Sequence, residues 1–270
     1  MKKWDSHFQL GDVVTQEQLE FFDEHGVIVF RNFIDKDKVA LFLGELKRLE
    51  SEWLAENRDK VNGIPLKFGK DEHGNRTIQR LCFSSLYSDA LHQLLEEPRL
   101  KALISFLNPY EGRIAENEKD GLVINNYINT PNSTFTQMGW HTDSPRDLFL
   151  GQKIMPMLNV GIHLDECKFE NGGLRVLPGT HKQNVLKLLF GKKYFIDNND
   201  DDREVGFDLY PGDLSVHDGR LWHRVKQSPL FGEASRRRVM YIPIVTGKYK
   251  PKDANSKTPF YHRFTSKVHH

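Results

Sequence analysis

The feature that most constrains the fold is a series of short apolar segments that begins after Gly121. Clusters of Gly, Pro, Asn and Asp separate the segments, which is typical of β-strands joined by turns and loops. The segments cover residues 122–128, 157–164, 174–177, 213–217 and 238–244. Short strands with long, irregular connections indicate a jelly roll, or double-stranded β-helix, whose two sheets leave a cavity that inward side chains can line.

The first 115 residues follow a helical pattern instead. Thr15 and Gln18 have the form of a capping box, which predicts a helix that starts at Thr15 and stops near Gly26. Residues 27–30 predict a short buried strand. A longer helix is predicted from about Asp35, because apolar residues recur there at steps of three and four. This stripe comprises Val39, Phe42, Leu46, Leu49 and Trp53.

Two further segments belong to this half of the chain. Residues 91–95 and 100–107 predict short helices that Pro98 separates. Residues 58–80 are polar and have no sustained period, so this segment is either a loop that folds over a site or a surface excursion. The fold class is therefore predicted as α+β, with a helical N-terminal half packed against a cupin-like jelly roll.

We expect a single domain over residues 1–270, because jelly rolls of this length are often undivided. Its parts are a helical region at about residues 1–115, a β-helix core at about 120–248 and a C-terminal tail at 249–270.

The charge and cysteine content exclude some partners and compartments. The formal net charge is +1, so electrostatics favour neither nucleic acid nor an anionic membrane. The N-terminus lacks the apolar core of a signal peptide, and no apolar run is long enough to span a bilayer. Cys82 and Cys167 show no pairing pattern. We expect a cytoplasmic monomer that binds neither nucleic acid nor membrane.

One short motif carries metal chemistry, in the segment Gly139–Asp143. If this segment is a strand, its two-residue period places His141 and Asp143 on one face. His223 is the candidate for a third ligand, and two histidines with one carboxylate form the facial triad of non-haem Fe(II) oxygenases. A lone His-x-Asp is weak evidence, because the pattern recurs at His163–Asp165.

The order of several motifs resembles the phytanoyl-CoA dioxygenase family. The helix and strand at residues 15–33 are similar to that family's opening elements. The motifs that follow in order are Gly139-Trp140-His141-Thr142-Asp143, Glu170-Asn171-Gly172-Gly173-Leu174-Arg175-Val176-Leu177-Pro178-Gly179-Thr180-His181, and Tyr210-Pro211-Gly212-Asp213-Leu214 leading to His223. The resemblance covers about residues 15–245.

The resemblance implies an Fe(II)- and 2-oxoglutarate-dependent dioxygenase that uses O2 to hydroxylate a C–H bond of a small molecule. His141, Asp143 and His223 would hold the iron and act as the catalytic metal ligands. Within this fold family, absence of the carboxylate ligand is associated with halogenation, so Asp143 favours hydroxylation. Oxidative decarboxylation would convert 2-oxoglutarate to succinate and CO2.

The family also takes an arginine for the distal carboxylate of 2-oxoglutarate from the strand that follows the distal histidine. In this chain that register selects Arg237, with Val239 and Tyr241 on the same face. Arg236 and Arg238 would then point outward. A slip of one residue would exchange these roles, because the three arginines are consecutive.

Three further residues are candidates for the site. Asn126 and His163 are predicted to contact the substrate from the inner face, although Asn126 could equally be solvated and His163 could be a buried structural histidine. His217 stands where an apolar residue is more usual, so a substrate role is conceivable. Many family members carry a tryptophan near Gly161 that packs on the keto acid, and glycine leaves that packing open.

Two alternative functions use the same fold. One is a metal-dependent cupin-type isomerase or hydrolase, which needs neither O2 nor Arg237. The other is a non-catalytic binding protein, against which an intact triad argues. The sequence does not identify the substrate, because a fold does not determine what its site accepts.

Overall fold

The computed structural model describes residues 2–131, 133, 135–144 and 153–259. Part of the predicted C-terminal tail, residues 260–270, lies outside the described residues. The strands in the described residues are β1 (Lys2–Trp4), β2 (Val27–Phe30), β3 (Lys60–Val61), β4 (Ile64–Pro65), β5 (Lys67–Lys70), β6 (Arg76–Leu81), β7 (Arg113–Ile114), β8 (Val123–Asn129), β9 (Met138–His141), β10 (Met157–His163), β11 (Gly173–Val176), β12 (Val205–Phe207), β13 (Leu214–Asp218), β14 (His223–Lys226) and β15 (Gly232–Val245).

The helices in the same residues are α1 (Gln16–His25), α2 (Lys36–Ala55), α3 (Asp89–Leu95), α4 (Pro98–Ala102) and α5 (Val185–Phe190). Short 3-10 helices occur at Ser84–Tyr87, Leu103–Leu107, Phe169–Asn171 and Thr180–Lys182. None of the helices in these ranges combines the length and the apolar character needed to cross a lipid bilayer.

Two sheets form a double-stranded β-helix, as predicted. The major sheet has the order β2-β13-β10-β15-β8-β6-β5, with β7 paired to β15. The minor sheet has the order β1-β12-β11-β14-β9. The described strand pairs are antiparallel except β1 with β12. The inner faces of the two sheets enclose the space in which the site is built.

The helix α1 confirms the capping-box prediction. Thr15 is the N-cap, its side chain accepts from the Gln18 backbone, and the Gln18 side chain accepts from the Thr15 backbone. The helix ends at Gly26, whose φ of 74° is in the left-handed region that glycine adopts without strain. The strand β2 follows directly, and its side chains are buried on both faces.

The long helix α2 confirms the predicted apolar stripe. Asp35 caps its N-terminus by accepting from the Lys38 backbone N–H. The buried residues of α2 are Val39, Phe42, Leu46, Leu49 and Trp53, the same stripe that the periodicity selected. They join a core that covers the outer face of the major sheet, where β10 contributes Leu158, Val160 and Ile162. The opposite face of β10 is left for the cavity.

The segment 58–80 is neither of the two possibilities that the sequence left open. It folds into β3 to β6, and β6 pairs with β8 so that the hairpin β5–β6 extends the major sheet. Ile78 and Leu81 are fully buried against the helical layer. Both β5 and β6 have one polar face and few apolar residues, so no alternating apolar pattern predicted strands here.

Candidate metal centre

Neighbouring strands of the minor sheet carry the two predicted histidine ligands. His141 ends β9, His223 begins β14, and the two residues are paired in the antiparallel register. Asp143 follows β9 by two residues, and its backbone N–H donates to Gly219 O at 2.8 Å. One ligand atom each from His141, Asp143 and His223 lies within 4.8 Å of the others. The predicted triad is therefore brought together.

Backbone carbonyls orient both imidazoles. His141 Nδ1 lies 2.8 Å from Gly139 O, and His223 Nδ1 lies 3.0 Å from Leu221 O. A carbonyl can only accept, so each Nδ1 carries the proton and each Nε2 keeps its lone pair. This is the tautomer that a metal ion requires, and a hydrogen bond of this kind raises the basicity of a ligating imidazole.

Electrostatics favour the ionisation states that bind a metal. Burial lowers the pKa of both His141 and His223 below the ordinary histidine value, so both rings are neutral. Burial alone would raise the carboxyl pKa of Asp143, but the charge that His223 carries when protonated and the adjacent His217 ring hold that pKa well below its ordinary value. Two neutral imidazoles and one carboxylate form an open, oxygen- and nitrogen-rich donor set.

Two polar side chains of the major sheet surround the Asp143 carboxylate. Asn159 Nδ2 donates to Asp143 Oδ2 at 3.2 Å, and His217 Nε2 lies 3.6 Å from the same oxygen. The His217 ring is 1% exposed, and neither of its nitrogens has a hydrogen-bond partner among the residues that the structure describes. Its centroid lies 4.3 Å from that of His223. The centre therefore contains a third imidazole that the metal-binding motif did not include.

An aromatic wall covers the other side of His141. The Phe195 ring stacks on the His141 imidazole, with centroids 4.9 Å apart and an angle of 27° between the planes. The Phe195 backbone has a φ of 62°, and its N–H donates to Trp140 O at 2.9 Å. Tyr194 reinforces this contact, because its hydroxyl lies 2.8 Å from Thr142 Oγ1. The sequence contained no motif that predicted this wall.

Of the three consecutive arginines, Arg237 is the one on the inner face. Arg238 makes a two-pronged ion pair with Asp165, at 2.6 and 2.8 Å. Arg236 pairs with Glu233 and donates to Asn126 Oδ1 at 2.7 Å. The predicted register of β15 is confirmed, and the two outer arginines are already neutralised.

Arg237 has no carboxylate partner among the described residues. Its Nη1 donates to Lys226 O at 3.0 Å, and its buried Nε has no hydrogen-bond partner. A cavity of about 20 Å³ lies beside it, and Tyr127, His163 and Tyr241 contribute to the lining. A buried guanidinium with an orphaned N–H next to a cavity is suited to bind a carboxylate.

His163 lies on the inner face, where it lines the same cavity as Arg237. Its Nε2 lies 2.9 Å from Ser215 Oγ, and that hydroxyl donates to Gly161 O at 3.4 Å. Burial, with a smaller effect of the Arg31 charge, lowers the His163 pKa to about 3, so this ring is neutral. The two residues of the second His-x-Asp pair therefore do not form a common site. His163 points inward, whereas Asp165 forms an ion pair with Arg238 on the outer face.

The position of Asn126 corrects one prediction. Asn126 pairs with Arg238 in the sheet register and accepts from Arg236, so it points to the outer face instead of the cavity. Strand residues alternate between faces, and the inward neighbours in β8 are Asn125 and Tyr127. The sequence could not distinguish these positions, because Asn125 and Asn126 are chemically identical and adjacent.

Gly161 leaves no extra space in the site. A Cβ built on Gly161 would lie 2.9 Å from Ser215 Oγ and 3.0 Å from the Tyr241 ring. Tyr241 pairs directly with Gly161 across β10 and β15 and covers it. The aromatic group that packs at this point therefore comes from the neighbouring strand.

Comparisons with known proteins agree with this geometry. The family model described as phytanoyl-CoA dioxygenase matches residues 22–228. A probable alpha-ketoglutarate-dependent hypophosphite dioxygenase of Stutzerimonas stutzeri is 27% identical over 171 residues, which are 63% of this chain and 54% of that protein. Ectoine dioxygenase of Bordetella parapertussis is 22% identical over 180 residues, 66% and 53% of the two chains. The chain spans about half the length of these relatives.

Solved structures share the fold at low sequence identity. The alpha-ketoglutarate-dependent carbocyclase SnoK from nogalamycin biosynthesis has a TM-score of 0.65 at 14% identity, covering 97% of this chain and 94% of that one. HygX from Streptomyces hygroscopicus, solved with nickel and 2-oxoglutarate, has a TM-score of 0.60 at 17% identity, covering 87% of each chain. These likenesses establish the cupin-like jelly-roll fold.

Proposed function

The chain belongs to the phytanoyl-CoA dioxygenase family, and from that premise we propose that it is an Fe(II)- and 2-oxoglutarate-dependent dioxygenase. The substrate is a small molecule that is hydroxylated at a C–H bond while 2-oxoglutarate and O2 yield succinate and CO2. Both named relatives are dioxygenases, and one is described as alpha-ketoglutarate-dependent, which supports this assignment.

One observation carries the proposal: an open His–Asp–His triad shares the cavity face with an arginine for which the described residues supply no carboxylate partner. His141, Asp143 and His223 would hold Fe(II) and leave coordination positions open. Arg237 would bind the distal carboxylate of 2-oxoglutarate through two parallel hydrogen bonds. A metal-dependent isomerase or hydrolase on this fold would have no use for a buried, unpaired guanidinium.

When bound, iron and 2-oxoglutarate supply the oxidising chemistry, and the protein side chains fix the geometry in which it occurs. The Nδ1 hydrogen bonds of His141 and His223 direct both Nε2 lone pairs inward. Asn159 donates to Oδ2 of Asp143 and His217 lies beside the same oxygen, so both side chains restrict the orientation of the carboxylate. Phe195 excludes water from one side of the His141 ring.

His163 is proposed as a neutral group that contacts bound 2-oxoglutarate or substrate beside Arg237. The location and assembly are also proposals. Cys82 and Cys167 are both buried and free, which supports a reducing, cytoplasmic setting. We propose a monomeric, single-domain enzyme that acts without nucleic acid or membrane.

An anaerobic titration tests the proposed function. Addition of Fe(II) and then 2-oxoglutarate to the metal-free protein should produce the weak visible charge-transfer band of a keto acid chelated to iron. His141→Ala should abolish the band. Arg237→Ala should weaken 2-oxoglutarate binding roughly 10- to 100-fold, because hydrogen bonds to a charged group are lost.

Arg236→Ala is the matched control, since this neighbouring arginine points outward and pairs with Glu233. Its 2-oxoglutarate titration should equal that of the unmodified protein. If metal binds to the unmodified protein and no band develops, the dioxygenase proposal is wrong and the isomerase, hydrolase or binding-protein alternatives replace it.

A further inference from the structure

Lys67 lies on β5, in the part of the major sheet that the sequence did not predict. In the sheet register Lys67 pairs with Arg80, Arg80 pairs with Asn125, and Asn125 pairs with Val239. Residues paired directly across neighbouring strands point to the same face. Lys67 therefore shares the inner face with Val239, which lines the cavity beside Arg237.

Aromatic rings hold the Lys67 side chain. Its Nζ lies 4.5 Å from the centroid of the Phe135 ring. Phe135 stacks on Tyr127, with centroids 4.5 Å apart and an angle of 22° between the planes. The Arg237 guanidinium lies 5.6 Å from the centroid of the Tyr127 ring. The stacked aromatic pair therefore makes two cation–π contacts, one between Phe135 and Lys67 and one between Tyr127 and Arg237.

Lys67 has no ion-pair partner among the described residues, whereas its neighbour Arg80 pairs with Asp120 at 2.6 Å. Burial, together with the charge of Arg80, lowers the Lys67 pKa to about 7. Burial is the main cause that lowers the pKa of His141, and the Lys67 charge adds to it. In its protonated form, Lys67 therefore acts electrostatically on the His141 imidazole.

A largely desolvated ammonium that has no counter-ion within the described part of the chain is costly for the fold, and such groups concentrate where a ligand supplies the missing charge. We propose that Lys67 binds an oxyanion group of the substrate, of the carboxylate or phosphate class, on the inner face of the major sheet. The inference rests on the proposed dioxygenase function and narrows its substrate to small anions.

The cofactor has its own cation. The distal carboxylate of 2-oxoglutarate is assigned to Arg237, and its other end is assigned to the metal. The Phe135–Tyr127 pair lies between Lys67 and Arg237. Because the rings separate the two cations, we assign a different anionic group to each of them. Lys67 is therefore assigned to the substrate and not to 2-oxoglutarate.

Chemical labelling of the metal-free protein tests for the anion site without requiring turnover. Limiting acetic anhydride is added, and acetylation of Lys67 and Lys70 is followed by peptide mass spectrometry. Lys70 is the internal control, because it lies on the same strand and is exposed. Acetate and inorganic phosphate should slow labelling of Lys67 at least about threefold, since an ion-paired amine is a poor nucleophile.

Neutral acetamide at the same ionic strength should leave Lys67 labelling unchanged, and none of the probes should affect Lys70. Equal effects of acetate, phosphate and acetamide on Lys67 would overturn the proposal.

Variants then separate substrate from cofactor. Lys67→Met keeps the length of the side chain and removes its charge, and Lys70→Met is the matched control. Pairs of small acids and their primary amides are screened for stimulation of 2-oxoglutarate turnover in the unmodified enzyme. The stimulating compounds should be acids, and Lys67→Met should weaken their effect about tenfold or more. The anaerobic 2-oxoglutarate titration of Lys67→Met should remain unchanged.

Two outcomes contradict the assignment to substrate. One is stimulation by amides as strong as that by acids. The other is a tenfold or greater loss of 2-oxoglutarate affinity in Lys67→Met, which would reassign Lys67 to the cofactor. A missing charge-transfer band in the unmodified protein would instead refute the dioxygenase function, while the labelling result would still report whether Lys67 binds anions.

Discussion

His217, beside the candidate metal centre, is a buried polar residue whose hydrogen-bonding groups are not satisfied among the described residues. Its ring is buried, both nitrogens lack hydrogen-bond partners in the described part of the chain, and Nε2 lies 3.6 Å from Asp143 Oδ2. A buried polar group without a hydrogen bond costs about 1–3 kcal/mol. A small movement of Asp143 toward Nε2–H would satisfy this group and fix the carboxylate. His217 is therefore interpreted as a positioning residue for Asp143.

The first prediction concerns metal affinity. His217→Phe fills a similar volume but removes the N–H donor, so the affinity for Co(II) or Ni(II) should fall roughly 10- to 100-fold, as for other residues that support metal ligands. Isothermal titration without 2-oxoglutarate measures this change. His217→Gln retains a side-chain N–H and should recover most of the affinity. Equal affinities for the Phe variant and the unmodified protein would leave His217 with a packing role alone.

The second prediction concerns acid stability. The folded-state pKa of His163 is about 3, whereas an unfolded histidine titrates near its ordinary value of 6.5. Below pH 6.5 the histidine binds a proton in the unfolded state but stays neutral in the folded state. The free energy of unfolding therefore falls as the pH falls from 6.5 toward 3. His163→Asn should reduce the slope of unfolding free energy against pH by about 1.4 kcal/mol per pH unit within this window.

Urea unfolding at several pH values between about 6 and 4 measures the slopes of the variant and the unmodified protein. His92→Asn is the control, because His92 is exposed and hydrogen-bonds Glu116 on the surface. Parallel slopes for His163→Asn and the unmodified protein would show that His163 is protonated in the folded state.

Among the helices and strands, the periodicity of apolar residues correctly identified the elements that have one face buried in the core. The stripe of α2 and the alternation of β10 and β15 follow from the rule that one side of a helix or strand faces the core. The same rule placed Arg237 on the inner face, where the structure also has it. It failed for Asn126, because the phase of a short strand with two adjacent asparagines is not fixed by its own residues. It also missed β5 and β6, in which few residues are apolar.

The contacts of the site were harder to predict than its ligands. His141, Asp143 and His223 are visible because a metal requires particular residue types. Phe195 and Lys67 belong to segments far from the motifs, and only the pairing of those segments with β9 and β6 brings them near the centre. Their roles depend on tertiary contacts that no local pattern records.

The third prediction tests the helical layer. Leu49→Ala removes a fully buried side chain from the α2 stripe and should lower the free energy of unfolding by about 2–5 kcal/mol through lost burial and a cavity. Leu41→Ala lies on the same helix, but Leu41 is 50% exposed, so its effect should be about 0.5 kcal/mol or less. Chemical denaturation followed by circular dichroism compares them. Equal losses would refute the assignment of the buried face.

At the scale of the whole molecule, the candidate metal centre joins the two sheets. His141 and His223 belong to the minor sheet, whereas Asn159 and His217 reach Asp143 from the major sheet. A metal ion bound here would therefore connect both layers. Since the unfolded chain has no such site, metal binding free energy adds to the stability of the folded state.

The fourth prediction follows from this linkage. Co(II) or Ni(II) at about 100 times its dissociation constant should stabilise the protein by about 2.7 kcal/mol, which raises Tm by roughly 5–10 °C for a chain of this size. Differential scanning calorimetry with and without metal measures the shift. His141→Ala should show no shift at the same metal concentration. A shift that persists in His141→Ala would place the bound metal elsewhere.

The pairing of His141 with His223 also has a consequence for folding kinetics. The two ligands are neighbours in the minor sheet but lie far apart along the chain, with the strands β10 to β13 between them. Closing so long a loop is slow, because its entropic cost comes before any contact offsets it. We expect the candidate metal centre to assemble late for this reason, and a nascent chain carries all three candidate ligands only after synthesis has reached His223.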